Sequence, residues 1–289
     1  MPSRAPRWVA FVRWLRVDLH LPGLGRLAMF LARHIPALRS VPVGMTDGRI
    51  LHLDLREQAC MPYLFYGENL SERAETRVVR AFVRSGATAV DIGANLGWYT
   101  TLFAELTSPG GRVVAIEPNP AGVRLLEASA QRYPHLSIVE SAVADYVGQA
   151  VLSVPTDFGF ASLAAMDVDA TGYPCAVTTL DQLLTRLHLG RVDFIKCDAE
   201  GAELSILKGA TRACRGADAA IWMIELYAHT TERFGYPPAA IVEHFMADAV
   251  AGYRGFLIEP ETGALKPLPA GPARDVLELL CDYVVSRTS

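Results

Sequence analysis

Val90-Asp91-Ile92-Gly93-Ala94-Asn95-Leu96-Gly97-Trp98-Tyr99-Thr100 is the stretch that decides the fold. It closes a short apolar run, turns on two glycines and opens a helical pattern. Gly93 and Gly97 let the backbone turn sharply and lie close to a ligand, where a Cβ would collide. In an open α/β sheet, ligands bind at that place, outside the carboxyl ends of the strands. Asp91 sits at the strand end, near where a ligand's cationic or hydroxyl groups would lie. Twenty residues beyond Gly97, Glu117 ends the next strand, placed to accept hydrogen bonds from both hydroxyls of a ribose. The spacing is not the dinucleotide pattern G-x-G-x-x-G, whose first two glycines stand closer together. It also puts acids where a pyrophosphate would need none. A sulfonium amino acid is cationic and has no phosphate, so it suits an acid-bearing loop.

Working outward, strand patterns fall at residues 88–92, 112–116, 136–140, 192–198, 219–226 and 254–259, with a last candidate at 282–287. Helices are expected after the first, second, fourth and fifth of these, and residues 150–178 read as additional β or loop structure. Short apolar strands alternating with helices imply an α/β, doubly wound, mostly parallel sheet covered on both faces. Asp145 falls just past the third strand. It or Ala142 is placed to meet an adenine amino group, or Asp145 serves only a turn ending at Gly148.

Upstream, the division is a basic helical arm with a β-hairpin over residues 1–70, then one domain over 71–289. From residue 8 to 21, Trp8, Phe11, Val12, Leu15 and Leu19 share one side of a helix, with Arg13, Arg16 and His20 opposite. A second short helix is expected near residues 27–32. Asp47-Gly48 suits a tight hairpin with both residues at positive φ. Ser71 is placed to cap a helix running to residue 84. Residues 1–44 hold seven arginines against Asp18 alone, so the arm carries +6 and the remainder −10 of a net −4. Such an arm packs on its own domain, meets another copy of the chain, or lies on an anionic membrane through residues 1–40.

The motifs form an ordered set: Tyr66-Gly67-Glu68, the glycine loop, Ile116-Glu117-Pro118-Asn119, Gly159-Phe160-Ala161-Ser162-Leu163, and Val177-Thr178-Thr179-Leu180-Asp181. Then follow Phe194-Ile195-Lys196-Cys197-Asp198-Ala199-Glu200-Gly201-Ala202-Glu203 and Ile224-Glu225-Leu226. In this order the set resembles the FkbM family of methyltransferases, over more than half of the chain. The resemblance implies a Rossmann-like sheet, S-adenosyl-L-methionine as cofactor, and O-methylation of a small-molecule or glycan hydroxyl. Glu68 and Asn95, from the matching motifs, join Asp91, Gly93, Gly97, Glu117 and Asp145 as the expected cofactor-binding set.

Lys196 and Asp198 point to one side of their strand, because side chains alternate. Asp198, Glu200 and Glu203 crowd the handover from strand to helix, where the helix N-terminus and Lys196 supply positive charge. Methyl transfer to an alcohol requires an aligned acceptor that loses a proton. Asp198 and Glu200 are the catalytic candidates, and His229, past the fifth strand, is the reserve base. Against this stands a structural reading in which Glu203 caps the helix and Lys196 pairs with Asp198. No spacing demands a metal.

A net charge of −4 points away from nucleic acid. Five scattered cysteines without a C-x-x-C pair fit a reducing compartment, and no apolar run is long enough to span a bilayer, so a cytoplasmic location is expected. Two rival functions share the layout. A nicotinamide-dependent oxidoreductase is disfavoured by the glycine spacing and by the lack of a Tyr-x-x-x-Lys pair. A non-catalytic binding or membrane-surface module is disfavoured by the intact acids at 91, 117, 198 and 200.

Overall fold

Residues 5–155, 161–164, 170–214, 219–246, 253–268 and 278–283 are described by a computed structural model. Helices α1 (Arg7–Val17) and α2 (Leu24–His34) lead into a hairpin of β1 (Val41–Gly44) and β2 (Ile50–Leu53), followed by α3 (Met61–Tyr66) and α4 (Arg73–Phe82). Strand and helix then alternate through β3 (Thr88–Ile92), α5 (Trp98–Thr107), β4 (Arg112–Ile116), α6 (Pro120–Ala130) and β5 (Leu136–Val139). A detour follows through β6 (Ala142–Val143), β7 (Gly148–Pro155), β8 (Ala170–Thr178) and α7 (Leu180–Arg186). The chain returns with β9 (Phe194–Cys197), α8 (Glu203–Lys208), β10 (Ile221–Glu225), α9 (Ala228–Thr231) and α10 (Ala239–Met246). It closes with β11 (Tyr253–Ile258), β12 (Leu265–Pro267) and β13 (Glu278–Tyr283).

Among the described residues the main sheet has the order β12-β11-β13-β10-β9-β3-β4-β5. From β10 to β5 every neighbour is parallel, while β13 lies antiparallel between β10 and β11. The chain winds outward from β3 to β5 and re-enters beside β3 as β9, which sets the topological switch point there. The strands are apolar on both faces because both are covered. Val90, Ile92, Ile195 and Ile224 meet Leu183, Ile206 and Phe245 on one side. On the other, Ala89, Val113, Phe194 and Met223 share a core with Val79, Leu102 and Phe103, and with Val9, Val43 and Leu53 of the N-terminal segment. Buried Arg49 ties the hairpin to α5, donating to the carbonyl of Trp98 and to Thr101 Oγ1 at 2.8 Å, while pairing with Asp47 at 2.9 Å.

Several expectations need correction. Arg13 leaves the basic stripe and turns inward, donating to the carbonyls of Leu64 (2.7 Å), Gly44 (2.8 Å) and Tyr63 (2.9 Å). Carbonyls run short of partners in the last turn of a helix, and the guanidinium bonds Leu64 O there and shares Tyr63 O with the Gly67 N–H. The helix is thereby rotated: Val9 is buried, whereas Trp8, Phe11 and Trp14 are exposed. Ser71 does not cap α4; its hydroxyl donates to Asn69 Oδ1 at 2.7 Å and the helix begins at Arg73. In the hairpin only Gly48 has positive φ. Its N–H donates to Met45 O, and Met45 N–H to Arg49 O, the pattern of a turn followed by a left-handed bulge residue. A helix, α7, fills the gap after the third parallel strand, capped by Thr179 Oγ1 accepting from Gln182 N–H. The described part of the last strand covers Glu278–Tyr283, and most of the 282–287 candidate lies outside the described residues. No helix among the described residues is long and apolar enough to cross a membrane.

Candidate active site

At the switch point, the carboxyl ends of β3, β4 and β9 open into a cleft of about 650 Å³, part of it continuous with solvent. Its floor is Gly93, Asn95 and Glu117; Ser141–Val143 and Leu152 form one wall, and Asp198–Glu200 another. Ala161 and Leu163 also line it, on a segment held by Ser162 Oγ donating to the Glu200 carbonyl at 2.9 Å. Gly93 has φ +77°, and a Cβ there would lie 1.7 Å from the Asp198 carbonyl oxygen. Only glycine lets the loop after β3 nest against the end of β9. Asn95 (φ +49°) and Glu200 (φ +52°) are held in left-handed conformations that side-chain-bearing residues seldom adopt, and both line the cleft.

Glu117 is fastened by two backbone donors, Asn95 N–H to one carboxylate oxygen and Asn119 N–H to the other, each at 2.8 Å. A carboxylate has about four lone-pair sites, so two remain for ligand hydroxyls. Burial pushes its carboxyl up to about 7 against the pull of those two bonds. Asn95 Oδ1 is buried and has no hydrogen-bond partner among the described residues. The described lining carries three carboxylates (Glu117, Asp198 and Glu200) and neither lysine nor arginine. This donor set fits a cationic sulfonium nucleoside with free ribose hydroxyls. It does not fit a pyrophosphate.

Asp91 lies beneath the loop, 1% exposed, accepting from Thr100 Oγ1, with burial raising its carboxyl to about 6. Gly97 shapes the start of α5, where a Cβ would strike Leu126 at 2.8 Å. Three residues expected at the site stand elsewhere. Glu68 is paired with Arg73 at 2.5 Å beside α1. Exposed Asp145 accepts from Ser205 Oγ at 2.7 Å. His229 is exposed too, with Nε2 2.7 Å from the guanidinium of Arg233.

At the catalytic end, Lys196 Nζ lies 2.7 Å from Asp198 and over the Tyr99 ring. Burial works to raise the Asp198 carboxyl, but the Lys196 charge, with hydrogen bonds from Glu225 and Lys196, holds it below its ordinary value. Glu225 follows Ile224, which pairs with Cys197 across the parallel ladder, so the Asp198 and Glu225 side chains meet. Burial and then the Asp198 charge drive Glu225 upward, so at neutral pH Glu225 carries the proton of their shared hydrogen bond. Glu200 is raised to about 8, by burial and then by Asp198 and Glu203. Carboxylate oxygens of Asp198, Glu200 and Glu225 approach within 4.8 Å of one another, so Glu225 rather than His229 completes the acidic group. Glu203 serves the turn, accepting from Ala199 N–H (2.8 Å) and Gly201 N–H (3.2 Å).

Two residues escaped the sequence reading. Glu225 left a signal, an acid ending the strand next to that of Asp198. Glu72, raised to about 7 chiefly by burial and then lowered in part by Lys196, left none. It stands in the turn before α4, and packing alone brings it under the charge of Lys196.

The model of the methyltransferase FkbM domain matches residues 91–255. The chain is 28% identical over 161 residues, 43% of its length, to the AMB antimetabolite synthetase AmbE of Pseudomonas aeruginosa, and covers 8% of that protein. It is 31% identical over 88 residues, 30% of its length, to the ribosomal RNA large subunit methyltransferase E of Desulforapulum autotrophicum, and covers 43% of it. The chain thus spans less than half of either curated relative. Among solved structures it is similar to the methyltransferase FkbM from Methylobacillus flagellatus KT, with 18% identity and a TM-score of 0.44, over 78% of this chain and 53% of that one. With the matched region covering more than half of the sequence and containing the whole glycine loop from Asp91 onward, the chain belongs to the FkbM methyltransferase family, whose methyl donor is S-adenosyl-L-methionine.

Proposed function

We propose that the protein transfers a methyl group from S-adenosyl-L-methionine to a hydroxyl oxygen of a small-molecule or glycan acceptor. The observation that carries this reading is the cleft lining: three carboxylates, no lysine or arginine among its described residues, and the acids that follow β9 facing the glycine loop. When bound, the donor supplies an electrophilic methyl on a cationic sulfur. Glu117 would accept the ribose hydroxyls, and Asn95 Oδ1 offers a further acceptor. Glu200 would take the acceptor's proton, because a base works best with its pKa near the operating pH. Asp198, kept ionised by Lys196 and by the proton on Glu225, would accept a hydrogen bond from a neighbouring acceptor hydroxyl and fix its orientation.

An acid-lined cleft with no lysine or arginine among its described lining residues disfavours the nicotinamide alternative. Incubation with methyl-labelled S-adenosyl-L-methionine and a panel of hydroxylated metabolites and glycans, read by mass spectrometry, tests the proposal. Label on a hydroxyl oxygen supports it. Label on nitrogen or carbon of the acceptor, with hydroxyl-only acceptors inert, overturns it.

A further inference from the structure

The inward turn of Arg13 leaves an unusual surface. Helices α1 and α2 both rest on α3: Arg13 bonds its terminal carbonyls, and the backbone of Gly25 lies against Met61 and Phe65. The outward sides are the apolar ones. Phe11 and Trp14 are 57% and 47% exposed on α1, and Leu27, Phe30 and Leu31, at helical spacing on α2, are 52%, 57% and 38% exposed. Leu19, Leu21 and Ile35 at the helix ends are also open to solvent. Exposed Arg7, Arg26 and Arg33 stand among them, and Asp18 is the sole acid in the first 44 residues.

We propose that this face seats the protein on an anionic membrane surface, α1 and α2 lying in the plane of the headgroups. Three observations select that occupant. Side chains this large and apolar cost free energy in water and gain it in the acyl boundary, while tryptophans favour the headgroup level. The interspersed arginines match the negative potential of an anionic leaflet. The charge division does the rest: the arm is +6 and the remainder of the chain −10, so an anionic surface draws the arm in and repels the other faces. Pairing the same face of two copies would instead bring two +6 arms together.

Vesicle co-sedimentation of the full chain tests the seat, using phosphatidylcholine alone and phosphatidylcholine mixed with phosphatidylglycerol. Methyl transfer plays no part in the readout. The protein is expected to pellet with the mixed vesicles and to be released as salt rises. Tryptophan emission should shift to the blue on binding, since Trp98 and Trp222 are buried and only Trp8 and Trp14 change surroundings. R26Q/R33Q should weaken partitioning roughly thirtyfold, and F11S/F30S at least roughly tenfold. These four side chains are exposed, so the variants fold, and unchanged circular dichroism checks it. The proposal is overturned if wild type stays in the supernatant with mixed vesicles, or if both variants bind as well as wild type. It is equally overturned if light scattering shows a dimer that F11S/F30S dissociates while vesicles are ignored; the face is then an interface between copies.

Discussion

Glu200 and Glu117 are acids of the same cleft with opposite demands placed on them. Glu200 must lose its proton to act, and burial with the neighbouring charges holds it near 8. The rate should therefore climb with pH through about 8, because the active carboxylate prevails only above the raised value. E200Q should erase that limb and slow turnover roughly 10²–10⁴-fold with cofactor affinity unchanged; steady-state kinetics and calorimetry separate the two effects. Should E200Q retain wild-type kcat, another group is the base. D198N removes a charge that raises Glu200, so the limb should move to lower pH. Glu117 does its proposed work by accepting. E117A should cost about 2–4 kcal/mol of S-adenosyl-L-methionine binding, two hydrogen bonds to a charged acceptor. Calorimetry showing equal affinity in E117A would remove it from the cofactor set.

At the scale of elements, the loop after β3 is held by what it lies against. Its glycine at position 93 touches the end of β9 so closely that a methyl group has nowhere to go, and its φ is left-handed. G93A should lower stability by at least ~2 kcal/mol, from backbone displacement added to the left-handed penalty. It should also weaken cofactor binding by moving Asp198 against Asn95. Urea denaturation checks the first effect, calorimetry the second. An alanine variant of wild-type stability would mean that the two loops are not packed as the structure has them. The same element logic explains α1. Its hydrophobic pattern correctly marks a helix, but the partner carbonyls of α3 choose which side faces in.

Over the whole molecule, the sheet end gathers buried acids whose carboxyls are raised: Asp91 to about 6, Glu72 and Glu117 to about 7. In the unfolded chain these groups titrate near 4, so between about pH 4 and 7 the folded state holds more protons. Stability should fall as pH rises through that window and go on falling above it, most visibly without cofactor. Glu200, raised to about 8, and Glu225, raised to about 11, still hold protons there that the unfolded chain has lost. Asp198, lowered by Lys196, acts oppositely, contributing stability above its unfolded value that is lost only as pH falls below about 4. Urea unfolding at pH 5 and pH 8 measures the balance. E117Q, which cannot ionise, should flatten part of the slope; an unchanged slope in E117Q would locate the effect in other groups.

Local rules made much of this legible. The glycine loop, the apolar strands and Glu117 at the end of β4 follow from steric and burial demands that neighbouring residues impose on one another. A mostly parallel sheet and the cleft's position could therefore be read from the chain, though not the order of the strands. The acids at 198 and 200 were legible for the same reason, standing where a strand meets a helix. Tertiary structure alone decided the rest. Glu72 comes under the charge of Lys196 through packing between elements far apart in sequence, where periodicity carries no signal, and Glu225 meets Asp198 only through the register of two adjacent strands. Glu68 and His229 found local partners in Arg73 and Arg233, and Asp145 found one in Ser205, 60 residues further along the chain. The face of α1 was settled by three carbonyls 31 to 51 residues away that only the folded chain presents to Arg13. A hydrophobic pattern states that a helix has two sides; which of them is covered depends on what else needs a hydrogen bond.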